Sequence, residues 1–204
     1  MLDRYVRPLI DPPLDGLGRR LAEFGLSANL VTLAGLGLGL AAALAIAPGQ
    51  YGLALVLMLA SRVADGLDGA IARATRPTDF GGYWDIVADF VFYAAFPLAF
   101  IAANPAENGT AGAALLAAFY INGASFLGFA ILAAKNNLSI TARGRKSWYH
   151  SGGLLEGTET IAFFAALCLF PSAFVPLAWG FAALTLITAF ARVAMARDLF
   201  KDQG

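Results

Sequence analysis

From Phe24 to Ser61 the chain runs 38 residues without a charged side chain, interrupted only by Pro48-Gly49-Gln50. About 20 helical residues cross the hydrocarbon core of a bilayer, so this run predicts two membrane helices joined by a turn. Phe90 to Ala134 carries only Glu107 and divides at Asn104–Gly109, and the charge-free Thr160 to Ala191 divides near Pro171 and Pro176. The pattern predicts six spans, at about 28–47, 51–75, 80–103, 110–135, 154–170 and 174–196. Nothing alternates apolar and polar over ten-residue segments, which excludes a transmembrane β-barrel. The first 25 residues differ. After Pro12-Pro13, Leu14, Leu17, Leu21 and Phe24 recur at helical spacing, with Asp15, Arg19, Arg20 and Glu23 on the other faces. That is the pattern of a helix lying in a membrane interface. The expected fold is an all-α integral membrane protein, with an interfacial amphipathic helix in residues 1–25 and six transmembrane helices in 26–204.

Composition agrees with the pattern. Charged residues make up 14% of the chain, against about 25% in soluble domains, and the mean hydropathy is +0.68. Fourteen Lys and Arg balance fourteen Asp and Glu. There is no basic excess of the kind nucleic acid binding needs. The lone Cys168 sits in an apolar run, which excludes a disulfide framework and a thiolate metal site. Basic residues are segregated: Arg4, Arg7, Arg19 and Arg20 precede the first span, and Arg62, Arg73 and Arg76 close the second. Lys135, Arg143, Arg145 and Lys146 follow the fourth, and Arg192, Arg197 and Lys201 end the chain. The three opposite turns contain none. By the positive-inside rule both termini face the cytoplasm, in a multi-pass protein of the cell (inner) membrane.

Four acids stand inside apolar spans, where an ionisable side chain is costly and raises a functional hypothesis. The second span ends in Asp65-Gly66-Leu67-Asp68-Gly69-Ala70-Ile71-Ala72-Arg73, and the third begins Gly81-Gly82-Tyr83-Trp84-Asp85-Ile86-Val87-Ala88-Asp89. Asp65 and Asp68 share one helix face, as do Asp85 and Asp89. Folded as an antiparallel hairpin about Pro77, the spans bring Asp65 level with Asp89 and Asp68 level with Asp85. Four carboxylates crowded in a low-dielectric site repel one another. Two divalent cations balance them, and oxygen ligands with no His or Cys nearby suit Mg²⁺ or Mn²⁺. Such a pair clamps phosphoryl oxygens in an in-line displacement. Gly66, Gly69, Ala72, Gly81 and Gly82 would leave room for a phosphate ester, and Arg73 is placed to hold one of its oxygens. The competing reading has the aspartates pairing with Arg62, Arg73 and Arg76, the glycines serving tight helix packing.

These residues resemble the signature of the CDP-alcohol phosphotransferase family, Asp-x2-Asp-Gly-x2-Ala-Arg, eight residues, then Gly-x3-Asp-x3-Asp. Asp65, Asp68, Gly69, Ala72 and Arg73 match its first half, and Gly81, Asp85 and Asp89 its second. Ala74 to Phe80 supplies seven residues in place of eight, the difference falling in the loop. The resemblance implies that Asp65, Asp68 and Asp85 bind two metals, that Asp89 touches one of them, and that Asp89 is the general base for the acceptor hydroxyl. Gly69 and Arg73 are then candidates for the CDP moiety. Ser27-Ala28-Asn29-Leu30-Val31-Thr32 is similar to the Pro-Asn-x-x-Thr entry of relatives, with Ala28 in place of proline. This makes Asn29 and Thr32 candidate nucleotide contacts, helix capping by Ser27 or Asn29 being the alternative. The implied activity is transfer of a phosphatidyl group from CDP-diacylglycerol to an alcohol with release of CMP, in phospholipid biosynthesis, by a homodimer. One rival is a CDP-linked head group donated to a lipid hydroxyl. A rival of another class is a divalent-cation transporter, although every in-span acid lies toward one side of the membrane.

Lys146 and Arg143, in the loop after the fourth span, are candidate ligands for an anionic acceptor. Most of that loop's charge is also explained by the positive-inside signal. Glu156 and Glu159 share a face at the start of the fifth span, to line the acceptor pocket or to pair with Arg143 or Arg145.

Overall fold

The computed structural model describes residues 2–136, 155 and 157–201. Among them the elements run α1 (Asp3–Glu23), α2 (Ala28–Ile46), α3 (Tyr51–Ala74), α4 (Asp79–Ala103), α5 (Pro105–Lys135), α6 (Gly157–Leu169), a turn of 3-10 helix (Pro171–Ala173) and α7 (Phe174–Phe200). Four helical stretches are long and apolar enough to cross a membrane: α2, α4, α5, and the 3-10 turn with α7. The 24 residues of α3 include Arg62, Asp65, Asp68 and Arg73 in their second half, and α6 has 13 described residues.

Local chemistry explains most boundaries. Ser27 caps α2 by accepting from Leu30 N–H, and Thr78 caps α4 by accepting from Gly81 N–H at 3.0 Å. Gly25 (φ 81°) and Gly49 (φ 77°) adopt the left-handed conformation after α1 and α2. Each is followed by a 6→1 backbone bond, Leu26 to Leu21 and Gln50 to Ala45, that ends the helix. Two boundaries differ from the sequence expectation. α5 begins at Pro105 rather than near 110, because Asn104 caps it by accepting from Glu107 N–H, with Pro105 in the first turn. Asn108 Nδ2 then donates to Phe100 O at 2.8 Å, tying the start of α5 to α4.

The second difference is α1, which runs unbroken through Pro8, Pro12 and Pro13. A proline inside a helix removes a hydrogen bond and costs roughly 3 kcal/mol. Tertiary contacts hold the segment in place. A Cβ at Gly18 would lie 2.5 Å from Ala70 Cβ, and one at Gly66 would lie 2.7 Å from Leu14 Cδ1. At the other end of α1, Asp3 Oδ1 accepts from Thr158 N–H at 3.0 Å.

α2 is the hub of one half of the molecule and packs on both α3 and α4; α5 packs on α7, and α4 joins the halves through α5. α3 and α4 are not themselves a closely packed pair, unlike the hairpin expected from sequence. The core between the halves is aromatic. Phe96 stacks on Phe164 at 4.6 Å, Phe163 on Phe181 at 4.0 Å, and Phe92 meets the Phe164 ring edge-on at 5.5 Å. Cys168 is buried beside this core. Tyr51, Phe100 and Phe174 form a continuous stack at centroid separations of 5.9 and 4.9 Å. Since they flank the α2–α3, α4–α5 and α6–α7 connections, those three turns share one end of the bundle. The acidic motif lies toward the other end.

Candidate functional site

Asp65 and Asp68 face inward from α3, and Asp85 lies two turns into α4. The three offer carboxylate oxygens that all lie within 4.8 Å of one another. Asp68 is the most enclosed, at 4% exposure. Its Oδ2 accepts from Thr32 Oγ1 at 2.5 Å, and the same hydroxyl lies 3.1 Å from Ala28 O. Of the four acids expected to meet, Asp65, Asp68 and Asp85 form the group whose oxygens all lie within 4.8 Å of one another.

The fourth acid is held differently. Asp89 Oδ1 accepts from Arg62 Nη1 at 2.7 Å, while the same nitrogen stands 3.5 Å from Asp65 Oδ1. Arg62 therefore bridges the α3 and α4 walls beneath the triad. From sequence, Arg62 marks the basic side of the membrane and is a rival partner for the acids. Its spacing of three from Asp65 was the signal that it shares their face.

The open space between α3 and α4 has a simple origin. Both helices are drawn onto α2 at glycines: a Cβ at Gly35 would lie 3.2 Å from Ala64 Cβ, and one at Gly39 would lie 2.7 Å from the Phe92 ring. Mutual repulsion of four carboxylates opposes direct closure of α3 on α4. The result is a cleft with α2 as its back wall, and the start of α2 reaches both halves of the motif. Thr32 meets Asp68, and Asn29 Oδ1 would lie 3.2 Å from a Cβ at Gly81.

The small residues divide into two groups. Gly66 does not leave room for a ligand, because Leu14 of α1 fills the space above it. Gly69 lies beneath the Arg73 guanidinium, whose Nη1 would be 3.1 Å from a Cβ there. Arg73 itself donates through Nη2 and Nε to Asp15 Oδ1, at 2.7 and 3.2 Å. In the sequence Asp15 belongs to a polar face, and nothing local shows that α1 crosses α3. Glu159, expected near an acceptor, accepts from Leu2 N–H at 2.7 Å. Lys146, Arg143 and Glu156 lie outside the described residues.

The donor set of the triad fits a hard divalent cation. It is all carboxylate, and 4.8 Å is close to the span of two bonds of about 2.1 Å to one ion.

Comparison with known proteins follows the same lines. The family model described as CDP-alcohol phosphatidyltransferase matches residues 26–196. The chain is 48% identical over 193 residues to the inner membrane protein YnjF of Escherichia coli, covering 95% of this chain and 94% of that one. It is 34% identical over 85 residues to the archaetidylinositol phosphate synthase of Pyrococcus horikoshii, covering 41% of this chain and 45% of that enzyme. Its fold is similar to the crystal structure of Mycobacterium tuberculosis phosphatidylinositol phosphate synthase with CDP-DAG bound. The TM-score is 0.71 at 20% identity, over 90% of this chain and 93% of that one.

Proposed function

The chain belongs to the CDP-alcohol phosphatidyltransferase family, and on that premise we propose that it moves a phosphatidyl group from CDP-diacylglycerol to the hydroxyl of an alcohol, releasing CMP. The observation that carries the reading is the convergence of the Asp65, Asp68 and Asp85 carboxylates from two helices into one group of oxygens. The chain is taken to cross the inner membrane six times, with α1 in the interface and both termini in the cytoplasm. A lipid donor and a soluble acceptor then both reach the cleft from the cytoplasmic side.

Asp65, Asp68 and Asp85 would hold the divalent ions, Mg²⁺ or Mn²⁺. Bound there, the ions would supply positive charge to the phosphate oxygens and to the charge that develops on the leaving CMP. The protein's own groups do the rest. Asp89, on the α4 wall, takes the proton of the acceptor hydroxyl as its oxygen attacks the phosphorus that carries the diacylglycerol. The phosphoanhydride bond to CMP breaks in the same displacement, and CMP departs with the electron pair. Asn29, Thr32 and Gly69 line the side on which the nucleotide is expected. Arg73 is available to a donor phosphate once it exchanges its exposed pairing with Asp15, worth roughly 0–1 kcal/mol. The loop containing Arg143, Lys146 and Glu156 is the expected approach of an anionic alcohol, and Glu159 marks where that loop joins α6.

The test supplies the purified protein in lipid nanodiscs with CDP-diacylglycerol, Mg²⁺ or Mn²⁺ and a panel of alcohols that includes inositol phosphate. Metal-dependent CMP release with one acceptor is expected, abolished by EDTA. Absence of CMP release with every acceptor would overturn the reading.

A further inference from the structure

Arg62 is the residue of the cleft that the transfer chemistry leaves without a task. It precedes the acidic motif by three residues, and its side chain is 8% exposed. Burying a guanidinium is expensive unless its donors are matched. Nη1 donates to Asp89 Oδ1 at 2.7 Å and stands 3.5 Å from Asp65 Oδ1. Nη2 donates to Ser61 Oγ at 3.1 Å, and Ser61 in turn donates to Gly35 O at 2.7 Å. The planar group lies over the Phe92 ring, its carbon 4.2 Å from the centroid. Nε is buried and has no hydrogen-bond partner among the described residues.

A cation held this way is not a surface counter-ion. Its plane is set from below by Phe92 and from the side by Ser61, which the α2 backbone anchors. One direction of the fork is then aimed at Asp89. Asp89 is the one of the four acids outside the group whose oxygens all lie within 4.8 Å of one another, and Arg62 joins it to Asp65 of that group. A carboxylate bonded to a fixed guanidinium has its orientation set by that guanidinium.

We propose that Arg62 is a positioning residue. It fixes the orientation of the Asp89 carboxylate, which accepts the acceptor's proton, and as a fixed internal cation it competes with a divalent ion for Asp65 and Asp89. The inference rests on the reading of the cleft as a phosphatidyl-transfer site. It adds a requirement that two opposed properties change together. Without the guanidinium the cleft is more negative and Asp89 is released, so divalent ions bind more tightly while transfer slows.

The experiment compares wild type, Arg62→Met and Arg62→Lys. Mn²⁺ affinity is measured on the substrate-free protein by electron paramagnetic resonance, and kcat at saturating Mn²⁺ by CMP release. Arg62→Met is expected to bind Mn²⁺ at least about tenfold more tightly and to lose about 10²-fold or more in kcat. Arg62→Lys keeps the charge without the fork, so it should retain wild-type Mn²⁺ affinity and recover only part of kcat. Unchanged or weaker Mn²⁺ binding in Arg62→Met would overturn the proposal, as would full recovery of kcat by Arg62→Lys. Should Arg62→Met not fold, Ser61→Ala removes the anchor of Nη2 and must shift both quantities in the same opposed directions, by smaller factors. If the wild type releases no CMP, that outcome counts against the proposed reaction, while the Mn²⁺ comparison still tests the competition of Arg62 with a divalent ion for Asp65 and Asp89.

Discussion

Asp89 and Asp85 lie one helical turn apart on α4, yet their surroundings are different. Asp85 shares a group of oxygens with Asp65 and Asp68, whereas Asp89 is bonded to a guanidinium. The proposed reaction assigns these two identical side chains different tasks, ion ligand for Asp85 and proton acceptor for Asp89. Asp89→Asn keeps the shape and removes the base, so CMP release should fall by roughly 10²- to 10⁴-fold. Mn²⁺ binding to the substrate-free protein should survive, because the triad is intact. Loss of Mn²⁺ binding together with activity would instead make Asp89 chiefly a metal ligand.

At the scale of elements, α1 is the segment whose stability is least its own. It carries three internal prolines, and it is held by the approach of Gly18 to Ala70, by Leu14 over Gly66 and by Asp15 against Arg73. Gly18→Val has no space to enter, since even a Cβ would lie 2.5 Å from Ala70 Cβ. Overpacking of this kind costs typically 1–3 kcal/mol, enough to lift a helix already strained by proline. The expected result is faster proteolysis between residues 3 and 26, with the cleavage pattern of α2–α7 unchanged. The aromatic core resists by a different means. Close packing, rather than exclusion of water, holds helices together in lipid, and the Phe92–Phe96–Phe164 cluster supplies it.

On the scale of the whole molecule, the Tyr51–Phe100–Phe174 stack gathers three turns at one end, while the acids and α1 occupy the other. In a membrane this polarity predicts one-sided access. With Cys168 replaced by serine, single cysteines at Gln50, Glu107 and Ser172 should react with an impermeant maleimide from the outer face. Cysteines at Asp11 and Thr75 should react only after the membrane is opened. Labelling of Thr75→Cys from outside would invert the proposed orientation and put the cleft on the wrong side for a soluble cytoplasmic acceptor.

Sequence alone determined the helical class, the approximate extent of the helices and the positions of the four acids within them. Each is legible because its cause is local. A long uncharged run has few folded solutions in lipid, and acids at spacings of three and four in such a run have little structural use. The resemblance to the family signature lay in the same residues. Tertiary structure decided what the acids touch. Only the packing of α3 and α4 onto α2 separates the two helices into a cleft, and only that geometry brings Arg62 between Asp65 and Asp89. It also turned Gly66 from a space for substrate into a seat for Leu14, and gave Arg73 a partner in Asp15, because α1 returns from a distant part of the chain to cross α3. These outcomes depend on which helix faces meet, a property of the assembled bundle that no short stretch of sequence encodes.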